Sequence, residues 1–158
     1  MSITRLEISE PFFTTLLIQG EAVHDVTGKC IVLNPSEEPI QLEQQKLGHL
    51  QSVIVAHTAL RGVAHAVIIE HFADLDNEAA LLAKIREVWR SAFDVRGEER
   101  LRGIGHYISA KVWLGRFRFT MYHAAPLPLN VGLHSDHALC PISGFREVHT
   151  QIVGFGKM

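Results

Sequence analysis

The sequence predicts a mainly β domain, a jelly-roll-like barrel or sandwich with one long helix beside it. Many short β-branched and aromatic runs are bounded by Gly, Pro and Asn turn signals, and only one stretch has helical periodicity. The length suits a single domain, 1–158, able to bury enough surface to fold without a disulfide or a metal. An α+β fold with an antiparallel sheet is the alternative. The sequence stops in an apolar strand pattern, which is also compatible with a fragment of a longer protein.

The first 72 residues are expected to form short strands. Turn signals such as Thr27-Gly28 and Asn34-Pro35 separate them. The runs 50–57 and 63–72 are apolar at odd and even positions alike, which is typical of strands buried on both faces. The predicted strands are 4–9, 12–18, 29–33, 39–42, 50–57 and 63–72.

Residues 75–93 carry the helical pattern. Asp74 or Asp76 can cap its start and Gly97 can close its end, while the charged segment Arg96–Arg102 is expected to be a solvated loop. The apolar stripe, expected to pack on the sheet, comprises Leu81, Ile85, Val88, Trp89, Ala92 and Phe93.

Strand patterns return after residue 105, and their phase slips by one at Gly115. Such a slip at a glycine predicts a bulge or a tight turn. We expect further strands over 129–134 and 145–153, with a turn at 140–144. The apolar set before the slip is Ile108, Ala110, Val112 and Leu114, and the set after it is Phe117, Phe119, Met121 and His123.

Composition excludes several classes of protein. Lys and Arg total 15 against 17 Asp and Glu, and the net charge of −2 argues against partners recognised by bulk positive charge. We therefore expect neither nucleic acid nor membrane as a partner. The two cysteines, Cys30 and Cys140, are expected to be reduced and buried, and no leader or apolar span is visible, so a cytoplasmic location is expected.

The unusual feature is ten histidines, of which several lie near carboxylates in the last third of the chain. Glu147 and His149 are two residues apart, so in a strand they share a face. Adjacent strands would bring histidines to the same cavity, and imidazoles with one carboxylate suit a divalent transition metal such as Fe, Mn or Zn. Gln151 and Tyr122 are predicted to orient a substrate. The predicted metal ligands are His123, His134, His137, Glu147 and His149.

The spacing of Glu147, six residues and then Gly154 resembles the end of the first metal motif of the cupin superfamily. Cupins are small jelly-roll barrels, often dimeric. Metal-containing cupins bind Fe, Mn, Ni, Zn or Cu through histidines and a glutamate, and many are dioxygenases, isomerases, epimerases or lyases. The resemblance implies a metal-dependent enzyme of this kind.

Three functions follow as hypotheses. The first is a metal-dependent enzyme of oxygenase, isomerase or lyase type acting on a small molecule through the His/Glu site. The second is a non-catalytic barrel that binds a small ligand or senses one, with an apolar pocket. The third is a structural assembly subunit. A homodimer is expected with each, anchored by Phe12, Phe13 and Phe155.

The other charged and imidazole side chains are expected to be structural. Arg116 and Arg118 alternate with Phe117 and Phe119, which predicts solvated edge residues rather than an anion clamp. Six histidines are expected to be hydrogen-bonded core residues. These are His24, His49, His57, His65, His71 and His106.

Overall fold

The computed structural model describes residues 2–10, 12–72, 78–124 and 143–152. Strands make up 44% and helices 15%, and every strand pairing is antiparallel. The prediction of a mainly β fold is therefore confirmed. The described strands form open sheets and do not close into a barrel.

The main sheet contains seven strands: β1 Ser2–Arg5, β2 Thr14–Val26, β3 Cys30–Leu33, β4 Ile40–Gln41, β5 Lys46–Leu47, β6 Ser52–Val55 and β7 Thr58–Glu70. It is built around the long strand β7, which pairs with β2 along one side. On its other side β7 pairs with β3 and with the short β4–β5 hairpin, giving the order β1-β2-β7-β3-β6.

The central strands of this sheet are buried on both faces. In β7, Ala66 and Ile68 pack into one apolar cluster while Val67 and Ile69 pack into another. The prediction for 63–72 is confirmed as far as Ile69, whereas the strand ends at Glu70 and His71 is exposed. The first cluster contains Ile18, Val26, Cys30, Val32, Ile40, Leu42, Leu47, Leu60, Val63, Ala66 and Ile68. The second contains Leu6, Ile8, Leu17, Ile31, Leu33, Val67, Ile69 and Phe72.

The run 50–57 was also expected to be buried on both faces, but its strand β6 lies at the edge of the sheet. Val53 and Val55 pack against the first cluster, whereas Ile54, which points to the other face, is 60% exposed. Apolar residues on both sides of a strand therefore do not distinguish an edge strand from a central one.

The predicted single helix over 75–93 is interrupted. Helix α1 spans Glu78–Val88, a two-residue strand β8 spans Arg90–Ser91, and α2 spans Ala92–Arg96. The chain leaves the helix at Trp89 because Ser91 caps α2, its hydroxyl accepting a hydrogen bond from the Asp94 N–H at 3.1 Å. The proposed caps Asp74 and Asp76 lie outside the described residues.

The end of α2 follows the sequence prediction. Gly97 has φ of 70° and donates its N–H to the Phe93 carbonyl at 2.7 Å, a left-handed cap that favours glycine. Ile85 is buried, while Trp89 is half-buried with its ring edge-on to Phe12 at 5.4 Å. Phe12 is therefore part of the core of its own chain and is not free to anchor a dimer. Phe155 lies outside the described residues.

After a 3-10 turn at Glu99–Leu101, the chain forms four more short strands, β9 His106–Ile108, β10 Val112–Leu114, β11 Phe117–Phe119 and β12 Tyr122–Ala124. The tight turn predicted at Gly115 is confirmed, because β10 and β11 form a hairpin whose two-residue loop begins there with φ of 57°. Apolar residues from both phases of the pattern, Val112, Leu114, Phe119 and Met121, pack against the second cluster.

The predicted strand over 145–153 is not found at 145–152, where the chain forms neither strand nor helix. Val148 and Ile152 hold this segment by packing against the second apolar cluster. The predicted strand 129–134 lies outside the described residues, and of the predicted turn only 143–144 is described, as a turn. No described helix has the length and apolar character needed to cross a bilayer.

Candidate functional site

The most distinctive polar site lies on the three-stranded sheet β8-β9-β12. In this sheet His123 lies opposite Tyr107, and Ala124 lies opposite His106. The pairing continues past β9, since the Ser109 N–H donates to the Met121 carbonyl at 2.9 Å. Two histidines far apart in sequence thus reach the same small sheet, next to the last turn of α2.

Five side chains on the two faces of this sheet form what we call the basic aromatic cluster. Tyr107 and His123 share one face with Arg86, whereas His106, which is affected by the charge of Arg96, lies on the other. Arg86 donates its Nε–H to the Tyr107 hydroxyl at 2.9 Å, and the rings of Tyr107 and His123 lie 6.4 Å apart. All except Arg86 are half-buried. The cluster therefore combines guanidinium and imidazole groups with a phenol held in place by an arginine.

The electrostatics of the cluster are visible at His106. Burial lowers the pKa of this imidazole, and the positive charges of Arg96 and His123 lower it further. His106 is therefore neutral near pH 7, with two basic groups acting on it. A negative charge placed here would offset the effects of Arg96 and His123 and raise this pKa.

Two nitrogens of this cluster are enclosed without an acceptor or donor. Nε of Arg96 and Nδ1 of His106 are buried and have no hydrogen-bond partner. Within the described part of the chain, neither side chain forms an ion pair with a carboxylate. Burying a guanidinium N–H without an acceptor is costly, so this nitrogen is suited to a negatively charged oxygen.

The sequence-predicted metal ligands are brought together only in part. Nε2 of His149 lies 3.5 Å from Oε1 of Glu147, although the strand predicted to place the two side chains on one face is not found. The His149 side chain is 76% exposed. His123 belongs to the basic aromatic cluster, and nowhere in 2–10, 12–72, 78–124 or 143–152 do three His, Cys, Asp or Glu side chains converge as a metal site. His134 and His137 lie outside the described residues.

The two residues predicted to orient a substrate, Tyr122 and Gln151, lie in different surroundings. Tyr122 is 39% exposed, and its ring is 6.0 Å from that of His106, at the margin of the basic aromatic cluster. Gln151 is an exposed residue on the segment held by Val148 and Ile152.

Two of the six histidines expected in the core lie at the surface. His57 and His71 are exposed, with positive φ at the two ends of β7, so that prediction is wrong for both. His49 is half-buried and its Nδ1 lies 2.9 Å from the Ser36 carbonyl, as expected. His65 is half-buried and packs edge-on against Phe117, with the two ring centroids 5.0 Å apart.

Sequence reasoning missed Arg96 and His106 as site residues. Arg96 was expected in a solvated loop and His106 in the core. One sequence signal points to His106: no Asp or Glu occurs between Glu99 and Asp136. Arg96 lies before this span, and no sequence signal points to it. No protein-family model, curated protein or solved structure matches this chain.

Proposed function

We propose that this domain binds a small organic anion at the basic aromatic cluster. The observation that supports the proposal is the enclosed Nε–H of Arg96, which has no acceptor, near the imidazole of His106, whose pKa is lowered by burial and then by positive charge. A carboxylate accepts hydrogen bonds from a guanidinium in a planar, charge-assisted geometry. This corresponds to the small-ligand-binding hypothesis from the sequence.

The aromatic rings favour an organic body on the anion. Tyr122 lies on the same face of the small sheet as His106, with the two rings 6.0 Å apart, and provides a flat apolar surface there. Tyr107, whose hydroxyl accepts a hydrogen bond from Arg86, lies on the opposite face with His123. An aromatic or otherwise planar carboxylate would place its charge at Arg96 and its body against the rings of His106 and Tyr122.

Calorimetric titration with benzoate, with benzamide as the uncharged probe of the same shape, tests the proposal. We expect saturable benzoate binding and no benzamide binding. The Arg96→Gln variant should weaken benzoate binding by roughly tenfold or more, since hydrogen bonds to charged groups contribute about 1.5–3 kcal/mol. Arg90→Gln is the matched control, because Arg90 is exposed on the same sheet and the charge change is identical. Equal binding of both probes, or equal losses in the two variants, would refute the proposal.

A metal-dependent oxygenase, isomerase or lyase on a cupin-like jelly roll is the second candidate. The close approach of Glu147 and His149 supports it, because one carboxylate with imidazoles suits Fe, Mn or Zn. His134 and His137 are the ligands proposed to complete the set. Such a metal would act as a Lewis acid or bind dioxygen.

Elemental analysis of protein purified without a histidine tag tests this second candidate. We expect near-stoichiometric metal in the wild type and its loss in Glu147→Gln. The His57→Gln variant is the control, since His57 is exposed in the turn before β7. Metal-free wild-type protein, or equal metal in the wild type and Glu147→Gln, would exclude it.

A homodimer remains proposed, with a different anchor. Strand β6 is an edge of the main sheet, residues 51–56 carry no charge, and Ile54 is 60% exposed. An uncharged apolar edge is commonly covered by another chain. Sedimentation equilibrium should give twice the 17.7 kDa chain mass, and Ile54→Lys should return it to the monomer. A wild-type mass of one chain at all concentrations would exclude the dimer.

A further inference from the structure

The β10–β11 hairpin has two chemically distinct faces. Val112, Leu114 and Phe119 pack against the second apolar cluster. On the other face, Trp113 lies directly across from Arg118, whose guanidinium carbon is 5.6 Å from the indole centroid. Trp113 is 53% exposed although it is a large aromatic residue, so this face presents an indole ring to solvent beside a cation.

The surroundings of Trp113 are basic. Lys111 precedes it by two residues, and Arg116 occupies the turn of the hairpin, both exposed. Among the described residues, neither forms an ion pair with a carboxylate. The five cations between Glu99 and Asp136, a span without any acidic residue, are Arg100, Arg102, Lys111, Arg116 and Arg118.

We propose that this face, made of Lys111, Trp113, Arg116 and Arg118, binds single-stranded nucleic acid. A base would stack on the indole of Trp113, and the three cations would contact phosphates on either side. Proteins that bind single strands without sequence preference combine a basic surface with aromatic rings on which bases stack. The net charge of −2 excludes binding by bulk charge and does not bear on a local basic surface. For this face alone, the proposal departs from the expectation that nucleic acid is no partner.

Other anionic partners fit this face less well. An anionic membrane would require apolar residues at the tip of the hairpin, whereas the tip is Gly115-Arg116. An acidic peptide would satisfy the cations and leave the exposed indole without a flat partner. Stacked bases of a duplex would be inaccessible to Trp113, which favours the single strand.

Fluorescence anisotropy with a fluorescein-labelled dT12 strand at 50 mM salt tests this inference. Since stacking is lost, Trp113→Ala should weaken binding by about 5- to 150-fold, and Trp113→Phe should restore part of it. Lys111→Gln and Arg116→Gln should each reduce the slope of log K against log salt concentration by about 0.7. Lys84→Gln is the matched control, because Lys84 is an exposed lysine on α1 and should leave dT12 binding unchanged.

A second readout uses the intrinsic fluorescence of Trp113. The chain has two tryptophans, so the Trp89→Phe variant leaves Trp113 as the single reporter, and dT12 should quench it. The inference is overturned if dT12 does not bind at micromolar protein, or if Trp113→Ala and Lys84→Gln have equal effects. It is also overturned if phosphatidylserine vesicles bind and dT12 does not. Because Arg96 is not part of this face, Arg96→Gln should keep dT12 binding even if benzoate binding is lost.

Discussion

Binding of a carboxylate beside His106 should raise the pKa of this histidine. In the free protein the pKa lies below the usual 6.5, first because of burial and then because of Arg96 and His123. Two unit charges 4 Å apart interact by about 1 kcal/mol in water and about 4 kcal/mol at an effective dielectric constant of 20. His106 is half-buried, so we expect about 1–2 kcal/mol, which is about one pKa unit.

The sign of this effect fixes the pH dependence. Because the bound state holds the His106 proton more tightly than the free state, benzoate affinity should rise as the pH falls from 7.5 to 5.5, by up to about tenfold. Without ligand, the lowered pKa of His106 has the opposite consequence for the free energy of unfolding, which should decrease as the pH falls. The domain should lose stability as the pH falls below 6.5 and through the folded-state pKa of His106.

NMR titration of the histidine Cε1–H signals, with and without saturating benzoate, measures this effect. His106→Gln assigns the signal, and His71 serves as an internal control because it is exposed at the end of β7. We expect the His106 pKa to rise and the His71 pKa to stay constant. A His106 pKa that is unchanged or lowered by benzoate, or equal shifts at both histidines, would refute the reasoning.

Three further predictions concern stability and are measured by urea unfolding. Burial and the charge of Glu70 raise the pKa of the Cys30 thiol to about 11, so the free energy of unfolding should fall between pH 9 and 11, by up to about 2–3 kcal/mol. The Cys30→Ala variant should not show this fall, and identical pH profiles of the variant and the wild type would contradict the prediction. Asn34 is fully buried and its side chain forms four hydrogen bonds, so Asn34→Ala should cost about 3–4 kcal/mol, and a loss below about 1 kcal/mol would contradict the network. Trp89 is half-buried against Phe12, so Trp89→Ala should cost about 2–3 kcal/mol, less than for a fully buried ring; an unchanged midpoint would show that the helix does not pack there.

Local patterns in the sequence predicted the local structure well. The phase slip at Gly115 identified the hairpin turn, and Gly97 identified a helix end, because both depend on backbone conformations that glycine favours. Glu147 and His149 also lie close together as predicted, but without the strand from which the prediction was made. Within the predicted strand 63–72, Ala66–Ile69 were correctly expected to be buried on both faces, since an apolar run requires partners on each side.

Features that depend on partners distant in sequence were not predictable. The helix ends before Arg90–Ser91 because these residues pair with β9, a strand that begins 15 residues later. Similarly, His106 and His123 come to the same small sheet, close to Arg96, only through the β9–β12 pairing and the turn after α2. Periodicity reports which residues are apolar and contains no information on which strand lies next to which.

The Arg96 Nε–H signal in a proton–nitrogen NMR spectrum tests the central claim most directly. During a benzoate titration this signal should shift and saturate at the affinity measured by calorimetry, because the carboxylate becomes the acceptor that the enclosed nitrogen lacks. Benzamide should leave the signal unchanged, and the exposed Arg90 should not respond to either probe. If benzoate binds while the Arg96 signal stays in place, the anion is held elsewhere and the proposed site is wrong.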